Sequence, residues 1–331
     1  MKTKAITVTA PKTVEMVDVT LPSLSDGEVL VKTVASCISP GTELRCMSGE
    51  GEASLFPYIP GYCQAGIVME CGPGTSIPEG TRVFSAGTDK CSLPTQWGAH
   101  IAHAVKDEKD LLILPDNLEF LECSAARLAA IAHHGTRFSQ PNPGKTVAVI
   151  GLGPIGQLSA RIHHAYGCDV VGGDILDTRV NLLQSVGARS VNTSQGVGKA
   201  FAGMLPEGAD VLVDATGVSA LIRDFLKVAK ELPWNDDPLE GCRYILQGSY
   251  AGMVEIPYLD AFMKEVNFFL PRNLQRGDME AVLKLMAEGR LDTRDLIDQV
   301  YLPEQAVEAY ARVSDPAQVS GTLAFNWEED V

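Results

Sequence analysis

Hydrophobic positions in the first 110 residues fall in short runs that Gly and Pro residues separate. The runs AITVTA, EVLVKTVAS, AGIVMEC and TRVFSAG are rich in β-branched and apolar residues, and segments such as SDGE and CGPGTSIPEG lie between them. Short apolar runs bounded by turn residues are typical of β-strands. This pattern predicts a β-rich domain, built as an irregular barrel or a sandwich.

The pattern changes to a helical one near residue 117. The stretch NLEFLECSAARLAAIAHHGTRFS is rich in Ala and Leu, with Asn117 as a candidate cap, and PNPG follows it. These features predict a helix that ends at PNPG.

From Lys145 onwards, apolar strand-like runs alternate with helical segments. TVAVIG, CDVVGGD, ADVLVDATG and CRYILQGS have the character of strands, and PIGQLSARIHHAYG and DTRVNLLQSVGA that of helices. A continuous apolar run such as TVAVIG is typical of a strand buried on both faces. The alternation predicts an α/β domain, a mostly parallel sheet with helices on both sides.

The chain after residue 270 is predicted to add two helices, DMEAVLKLMAEGRL and PEQAVEAYARVS, and a last strand, SGTLAFNW. A segment this short cannot bury a core of its own. We therefore expect it to pack on the β-rich domain.

Composition narrows the classes of function. The chain has 331 residues and a formal net charge of -15, which argues against nucleic acid as a partner because phosphate binding needs clustered Lys and Arg. No run of apolar residues is long enough for a membrane span, and the N-terminus lacks the apolar core of a signal peptide, so we expect a cytoplasmic protein. The eight cysteines form no C-x-x-C pair, so we expect neither a disulfide framework nor a zinc knuckle.

A dinucleotide-binding turn is the strongest motif. Gly151, Gly153 and Gly156 have G-x-G-x-x-G spacing, with Pro154 and Ile155 in the turn, a predicted buried strand before it and a helix after it. The first Gly permits a tight turn, the second lets the backbone approach a pyrophosphate, and the third lets the helix pack closely on the strand. The helix N-terminus then offers free N–H groups to the anion.

The next strand ends in an acid, Asp174, near the spacing at which a carboxylate receives the ribose hydroxyls. Such a carboxylate repels a 2′-phosphate, which favours NAD over NADP. Arg179 opposes this preference because arginine can accept that phosphate, although it can also lie along the adenine or on the helix surface. Further cofactor contacts are expected where the following strands end, at Ala215, Thr216, Gly217, Gly248, Ser249 and Leu270.

The order of these parts resembles the medium-chain dehydrogenase/reductase superfamily, of the zinc-type alcohol dehydrogenase-like kind, over essentially the whole chain. The segments that carry the resemblance are GEVLVKTVASCISPGTEL, IPGYCQAGIV, GPGTSIPEGTRV, VIGLGPIGQL and DTRVNLLQSVGA. The resemblance implies a GroES-like catalytic domain of residues 1–135, completed by residues 271–331, and a Rossmann domain of residues 136–270. It also implies a homodimer formed through a sheet edge of the Rossmann domain.

The resemblance fails at the zinc ligands. Where zinc-containing members have Gly-His-Glu, this chain has Gly61, Tyr62 and Cys63, and the position of the first cysteine ligand falls on Ser39 or Pro40. Neutral Tyr and Ser oxygens are poor ligands for Zn²⁺. We therefore expect no metal, as in a zinc-free subgroup similar to the bacteriochlorophyllide-a hydroxyethyl dehydrogenases, which SPGTE, PGY and LAAIAHHGTR resemble.

One alternative metal site stays open at this point. Cys37, Cys63 and either His133 or His134 would supply an improvised Cys₂His set of ligands. The lobe that holds a structural zinc in the family is reduced here to Cys91.

Without zinc, side chains must hold an alcohol substrate and carry its proton. Tyr62 stands where a ligand would face the substrate, and a cationic nicotinamide could lower its pKa so that it acts as a base. His134 is the candidate proton carrier, and His133 faces about 100° away from it on a helix.

Three further residues complete the predicted catalytic set. Ser39 is a hydrogen-bond partner for the substrate oxygen, and Thr42 is a candidate proton relay. Glu43 is either a base or a structural carboxylate.

Three hypotheses follow from the sequence. The first is an NAD-dependent, zinc-independent dehydrogenase of a polar secondary alcohol, such as a sugar, polyol or cyclic alcohol. The second is an NAD(P)H-dependent quinone or enone reductase, and the third is a non-catalytic dinucleotide-binding protein.

Overall fold

The computed structural model describes residues 1–49, 55–250 and 252–328. The chain divides into two compact units, the first formed by Met1–Arg127 with Asp292–Val331 and the second by Leu128–Leu291. None of the helices in the described ranges is long and apolar enough to cross a membrane.

The elements are numbered along the chain. Up to residue 127 they are β1 (Lys2–Ala10), β2 (Thr13–Thr20), β3 (Glu28–Cys37), α1 (Pro40–Met47), β4 (Gln64–Cys71), β5 (Arg82–Ser85), β6 (His103–Asp107), β7 (Leu112–Ile113) and α2 (Phe120–Ser124). Then follow α3 (Ala126–Ser139), β8 (Thr146–Ile150), α4 (Pro154–Ala165), β9 (Asp169–Asp174), α5 (Asp177–Gln184), β10 (Arg189–Asn192), α6 (Val197–Met204), β11 (Val211–Asp214), α7 (Ile222–Leu226), β12 (Arg243–Leu246), α8 (Tyr258–Met263), β13 (Asn267–Phe269) and α9 (Arg276–Ala287). The last elements are β14 (Ile297–Tyr301), α10 (Ala306–Val313) and β15 (Thr322–Asn326).

The first unit is built around a seven-stranded sheet. Its strand order is β14-β15-β3-β4-β5-β7, with β6 also paired to β3, and β1 and β2 form a separate antiparallel pair. The C-terminal strand β15 pairs antiparallel with β3, so the end of the chain contributes to this sheet. Gly66 permits the close pairing of β4 with β3, since a Cβ there would lie 2.2 Å from the carbonyl oxygen of Lys32.

The second unit contains a six-stranded sheet in the order β10-β9-β8-β11-β12-β13, and its strand pairs are parallel. Side chains alternate between the two faces of a strand. On β8, Val147 and Val149 pack in one hydrophobic cluster, and Ala148 and Ile150 pack in another. Both faces of the sheet are therefore buried, which confirms the predicted α/β class with a β-rich domain beside a Rossmann-like one.

Two details differ from the sequence expectation. The predicted helix near residue 117 is divided into α2 and α3, and it begins at Phe120 rather than after Asn117. Its first turn is capped by Glu122, which accepts a hydrogen bond from the backbone N–H of Glu119 at 2.7 Å. Residues 128–135 and 271–291 belong to the second unit, whereas the expected boundaries lay at 135/136 and 270/271.

Candidate active site

Three hydroxyl groups meet where α1 begins. Ser39 precedes α1, Thr42 lies in its first turn, and Tyr62 lies shortly before β4. The Tyr62 hydroxyl hydrogen-bonds the Ser39 hydroxyl and donates to Thr42 Oγ1 at 3.3 Å. The structure thus brings together the three hydroxyls that the sequence assigned to the alcohol.

The phenol of Tyr62 is held in its neutral form. Its side chain is buried, and burial, followed by the neighbouring Cys63, raises the pKa of Tyr62 well above its ordinary value despite the hydrogen bond from Ser39. The sequence suggested a lowered pKa and a base. The described surroundings of Tyr62 instead favour a phenol that donates and accepts hydrogen bonds without ionising.

Glu43 is a buried carboxylate with both oxygens in hydrogen bonds. Its Oε1 accepts the backbone N–H of Ser39 at 2.7 Å. Its Oε2 lies 3.1 Å from Nε2 of His100 and accepts the hydroxyl of Tyr310 at 2.5 Å. Of the two roles that the sequence left open, this geometry favours the structural one, because Glu43 fixes the backbone of Ser39.

His100 extends this network and was missed by the sequence analysis. Its Nδ1 lies 2.8 Å from Oγ of Ser36, which also accepts the indole N–H of Trp327 at 2.8 Å. His100 and Tyr310 are 57 and 267 residues from Glu43 along the chain. No local spacing in the sequence links them, so only the fold could reveal this group.

Gly61 explains how His100 reaches Glu43. The residue has φ of +90°, and a Cβ there would lie 2.6 Å from the imidazole ring of His100. A glycine is therefore required both by the left-handed backbone and by the ring packed against it.

The Cys37 thiol is a poor candidate ligand for the improvised metal site. Among the described residues, no group of three or more His, Cys, Asp or Glu side chains is placed to hold a metal ion. Burial, followed by the charge of Glu43, raises the pKa of the Cys37 thiol to about 12. Because the thiolate is the metal-binding form of cysteine, Cys37 is a poor ligand at neutral pH.

In the second unit, Asp278 binds both adjacent histidines of α3. Its Oδ2 lies 2.9 Å from Nδ1 of His134, and its Oδ1 lies 2.8 Å from Nδ1 of His133. His133 Nε2 also forms a hydrogen bond, with the hydroxyl of Tyr166 at 2.8 Å. No hydrogen bond to Nε2 of His134 is found within residues 1–49, 55–250 and 252–328, so His134 is the histidine that keeps a nitrogen for a proton.

The glycine turn is tightly packed at its first and third glycines. Gly151 has φ of +81°, and a Cβ on Gly156 would lie 1.8 Å from the carbonyl oxygen of Gly151. At Gly153 the nearest atom to a Cβ is Nη1 of Arg179, 4.0 Å away, so the backbone there faces open space. Pro154 is the first residue of α4, where its missing N–H leaves no bond unmade.

Asp174 is more enclosed than the sequence implied. It is 5% exposed, and its Oδ2 and Oδ1 accept the backbone N–H groups of Leu152 at 2.7 Å and Leu176 at 3.0 Å. Arg179 Nη1 lies 3.7 Å from Asp174 Oδ2. The carboxylate therefore orders two backbone segments, and its charge is partly balanced by Arg179.

A cavity of about 570 Å³ lies beside this turn. The predicted cofactor residues that line it are Gly151, Gly153, Asp174, Arg179, Ala215 and Thr216. Thr193, Ser194 and Gly196, which the sequence did not single out, line it too.

The other predicted cofactor residues lie outside that lining. Ile155 is in the first turn of α4, and Gly217 and Gly248 approach closely, since a Cβ on Gly248 would lie 2.5 Å from the nitrogen of Gly217. Ser249 follows β12 and is exposed, and Leu270 follows β13 and is 70% exposed.

Comparison with known proteins supports the resemblance to the medium-chain dehydrogenases/reductases. Residues 25–116 match the alcohol dehydrogenase GroES-like domain. The chain is 27% identical to 2-desacetyl-2-hydroxyethyl bacteriochlorophyllide A dehydrogenase of Cereibacter sphaeroides over 335 residues, which cover 96% of each chain. These similarities support an oxidoreductase of the medium-chain dehydrogenase/reductase type that resembles the alcohol dehydrogenases.

Other known proteins resemble the chain over different lengths. It is 28% identical to an NADPH-dependent alkenal/one oxidoreductase of Arabidopsis thaliana over 208 residues, covering 61% of this chain and 53% of that protein. The fold matches that of 2R,3R-butanediol dehydrogenase from Bacillus subtilis with a TM-score of 0.85 and 20% identity, covering 98% of this chain and 99% of that one.

Proposed function

We propose that this medium-chain oxidoreductase is a zinc-independent, NAD-dependent dehydrogenase that interconverts a polar secondary alcohol, such as a sugar, polyol or cyclic alcohol, with its ketone. The observation that carries the proposal is the hydrogen-bonded group of Tyr62, Ser39 and Thr42. Hydroxyl groups in this arrangement can bind an alcohol oxygen and pass on its proton.

The dinucleotide fits the second unit. The open backbone at Gly153 and the N-terminus of α4 suit a pyrophosphate, and Asp174 and Arg179 border the same cavity. When bound, the nicotinamide supplies the acceptor for the hydride that leaves the carbinol carbon with both electrons of the C–H bond. A 2′-phosphate would approach the charge of Asp174, which supports NAD, and Arg179 is the group that would reduce this preference.

The protein side chains must carry away the proton of the alcohol. As a neutral phenol, Tyr62 takes the proton of the substrate hydroxyl while it gives its own proton to Thr42 or Ser39, and that hydroxyl in turn releases one proton to water. His134 is the proposed proton carrier of the second unit, because Asp278 holds its Nδ1 and leaves Nε2 as the acceptor.

Zinc independence is supported by the chemistry of the donors. Tyr62 and Ser39 are neutral oxygens that hydrogen-bond each other, and Cys37 is a protonated thiol. Zn²⁺ prefers thiolate, imidazole and carboxylate ligands.

The first experiment combines metal content with turnover. Protein purified without chelator should contain less than about 0.1 zinc per chain by mass spectrometry, and it should reduce NAD⁺ with secondary alcohols faster than NADP⁺. One zinc per chain would contradict the zinc-independent mechanism. Activity confined to enones or quinones with NADPH would favour the reductase class of the Arabidopsis relative, and NADH binding without any turnover would favour a non-catalytic role.

A homodimer formed at the edge strand β13 belongs to the same proposal. Strand β13 ends the six-stranded sheet, and exposed apolar side chains on α8 lie just before it in the chain: Tyr258, Leu259, Phe262 and Met263. Leu259→Glu should shift the protein to a monomer in analytical ultracentrifugation. Val307→Glu, at an equally exposed apolar residue of the first unit, should not. A wild-type monomer would contradict the dimer.

A further inference from the structure

Arg127 places a cation against the aromatic ring of Tyr62. It is the second residue of α3, and its guanidinium carbon lies 4.9 Å from the centre of the Tyr62 ring. Its Nε is buried without a hydrogen-bond partner. No hydrogen bond or ion pair to Arg127 is found across the described ranges, residues 1–49, 55–250 and 252–328.

Other arginines of the first unit show how such a group is normally satisfied. Arg82 also lies over an aromatic ring, that of Phe120, with 4.4 Å to the ring centre. Arg82 donates in addition to the carbonyl oxygens of Pro115, Asp116 and Leu118. Arg127 has the ring contact alone.

The position of Arg127 is also unfavourable for the helix. The first turn of a helix carries the positive end of its dipole, where a cation is destabilising, and α3 has no acidic residue in that turn. A partly buried donor without a partner adds a desolvation cost. Among the described residues, the contact with the Tyr62 ring is the stabilising interaction that opposes these costs, and violations of local rules of this kind are expected at functional sites.

We infer that Arg127 binds an anionic oxygen group of the substrate, a carboxylate or a phosphate, while Tyr62 holds the reacting hydroxyl. This inference rests on the proposed dehydrogenase function and narrows its substrate to a hydroxy acid or a phosphorylated alcohol. The planar guanidinium matches both anions with two parallel hydrogen bonds. The net charge of -15 makes the molecule repel anions at long range, so a substrate of this class needs a local cation.

The test compares alcohols that differ only in charge. 3-Hydroxybutyrate is paired with its methyl ester, and glycerol 3-phosphate with glycerol, so that the two pairs separate carboxylate from phosphate. In Arg127→Gln, kcat/KM for the preferred anionic alcohol should fall by about 10- to 100-fold, and that for its neutral partner by less than about threefold. Arg127→Lys should recover part of the lost kcat/KM, because lysine keeps the positive charge but cannot form the two parallel hydrogen bonds of the guanidinium.

Two controls accompany these variants. Lys2→Gln removes one positive charge from an exposed residue of β1 and should leave the ratio of anionic to neutral substrates unchanged. The melting temperature of Arg127→Gln should equal or exceed that of the wild type, since the substitution removes a cation from the first turn of α3.

A binding measurement separates this inference from the proposed function. In isothermal titration with NADH present, the wild type should bind 3-hydroxybutyrate or glycerol 3-phosphate more tightly than the neutral partner, and Arg127→Gln should lose the difference. If this holds while no alcohol is turned over, the anion site stands and the dehydrogenase proposal fails. If neutral alcohols are turned over but the wild type does not favour either anion, or Arg127→Gln mainly weakens NADH binding, the inference is wrong and the dehydrogenase proposal stands.

Discussion

Replacing Tyr62 by Phe removes the central hydroxyl of the proposed relay and keeps the buried ring. The lost contacts are those to Ser39 and Thr42, both between neutral groups. A neutral hydrogen bond contributes about 0.5–1.5 kcal/mol, so the free energy of unfolding should fall by about 1–2 kcal/mol. Loss of a proton-transferring group slows a reaction by about 10²–10⁴-fold, or roughly 3–5 kcal/mol in the barrier.

The assay measures NADH formation at 340 nm with the best alcohol of a panel, at a temperature where circular dichroism shows both proteins folded. Tyr58→Phe is the matched control. Tyr58 is 2% exposed, and its buried hydroxyl has no hydrogen-bond partner among the described residues. Its removal should leave kcat within about twofold and the stability unchanged or higher.

Two results would refute the relay. Tyr62→Phe could retain more than about a tenth of the wild-type kcat, which is too much for the loss of a proton-transferring group. Alternatively, activity could fall equally in Tyr62→Phe and Tyr58→Phe, which would point to core packing. The raised pKa of Tyr62 adds a further condition, because a neutral phenol should impose no ionisation of its own on the pH profile of kcat/KM below about pH 9.

Three further predictions concern the groups around this site. His134→Gln should lower kcat by about 100-fold, because it removes the proposed proton carrier. A kcat within about twofold of the wild type would exclude His134 from that role. Burial raises the pKa of Asp278, but hydrogen bonds from a backbone N–H and the two histidines outweigh burial, and the pKa is lowered. The stabilisation by Asp278 is therefore present above the unfolded pKa of about 3.9 and is lost as the pH falls through the folded pKa. In urea titrations, the stability difference between the wild type and Asp278→Asn should shrink over that acid range, and a constant difference would contradict the linkage. Gly61→Ala should lower the free energy of unfolding by about 2–4 kcal/mol, because it strains the backbone and displaces His100. Gly41→Ala in α1 is the control and should be neutral or stabilising, since no atom lies within 4 Å of the new Cβ. Equal effects of the two substitutions in urea denaturation would contradict the packing argument.

The fold followed from periodicity because each unit repeats a local pattern. In β8, Val147 and Val149 lie on one side of the sheet, and Ala148 and Ile150 lie on the other. A continuous apolar run therefore indicates that both faces of the strand are buried. The glycine turn was equally local, since steric contact between residues five apart, Gly151 and Gly156, fixes the spacing.

The polar site followed from the sequence only in part. Ser39, Thr42 and Tyr62 were found through the family resemblance, and their mutual bonds fit that prediction. The ionisation of Tyr62 could not be predicted, because it depends on how completely the ring is buried. The enclosure of Asp174 by two backbone N–H groups likewise depends on how neighbouring loops fold.

The network around Glu43 suggests how the proposed zinc-independent site would keep its geometry. A metal would hold its ligands at fixed distances. Here the buried carboxylate of Glu43 fixes the positions of its neighbours, because it hydrogen-bonds the backbone of Ser39 and the side chains of His100 and Tyr310. Each of these donors comes from a different segment, so the position of the Ser39 hydroxyl depends on all of them together. Loss of Tyr310 or His100 should therefore disturb the relay through Ser39, although neither side chain contacts Tyr62 by a hydrogen bond among the described residues. Hydrogen bonds to a charged group are each worth about 1.5–3 kcal/mol, which is enough to hold the hydroxyl in one place without a metal ion.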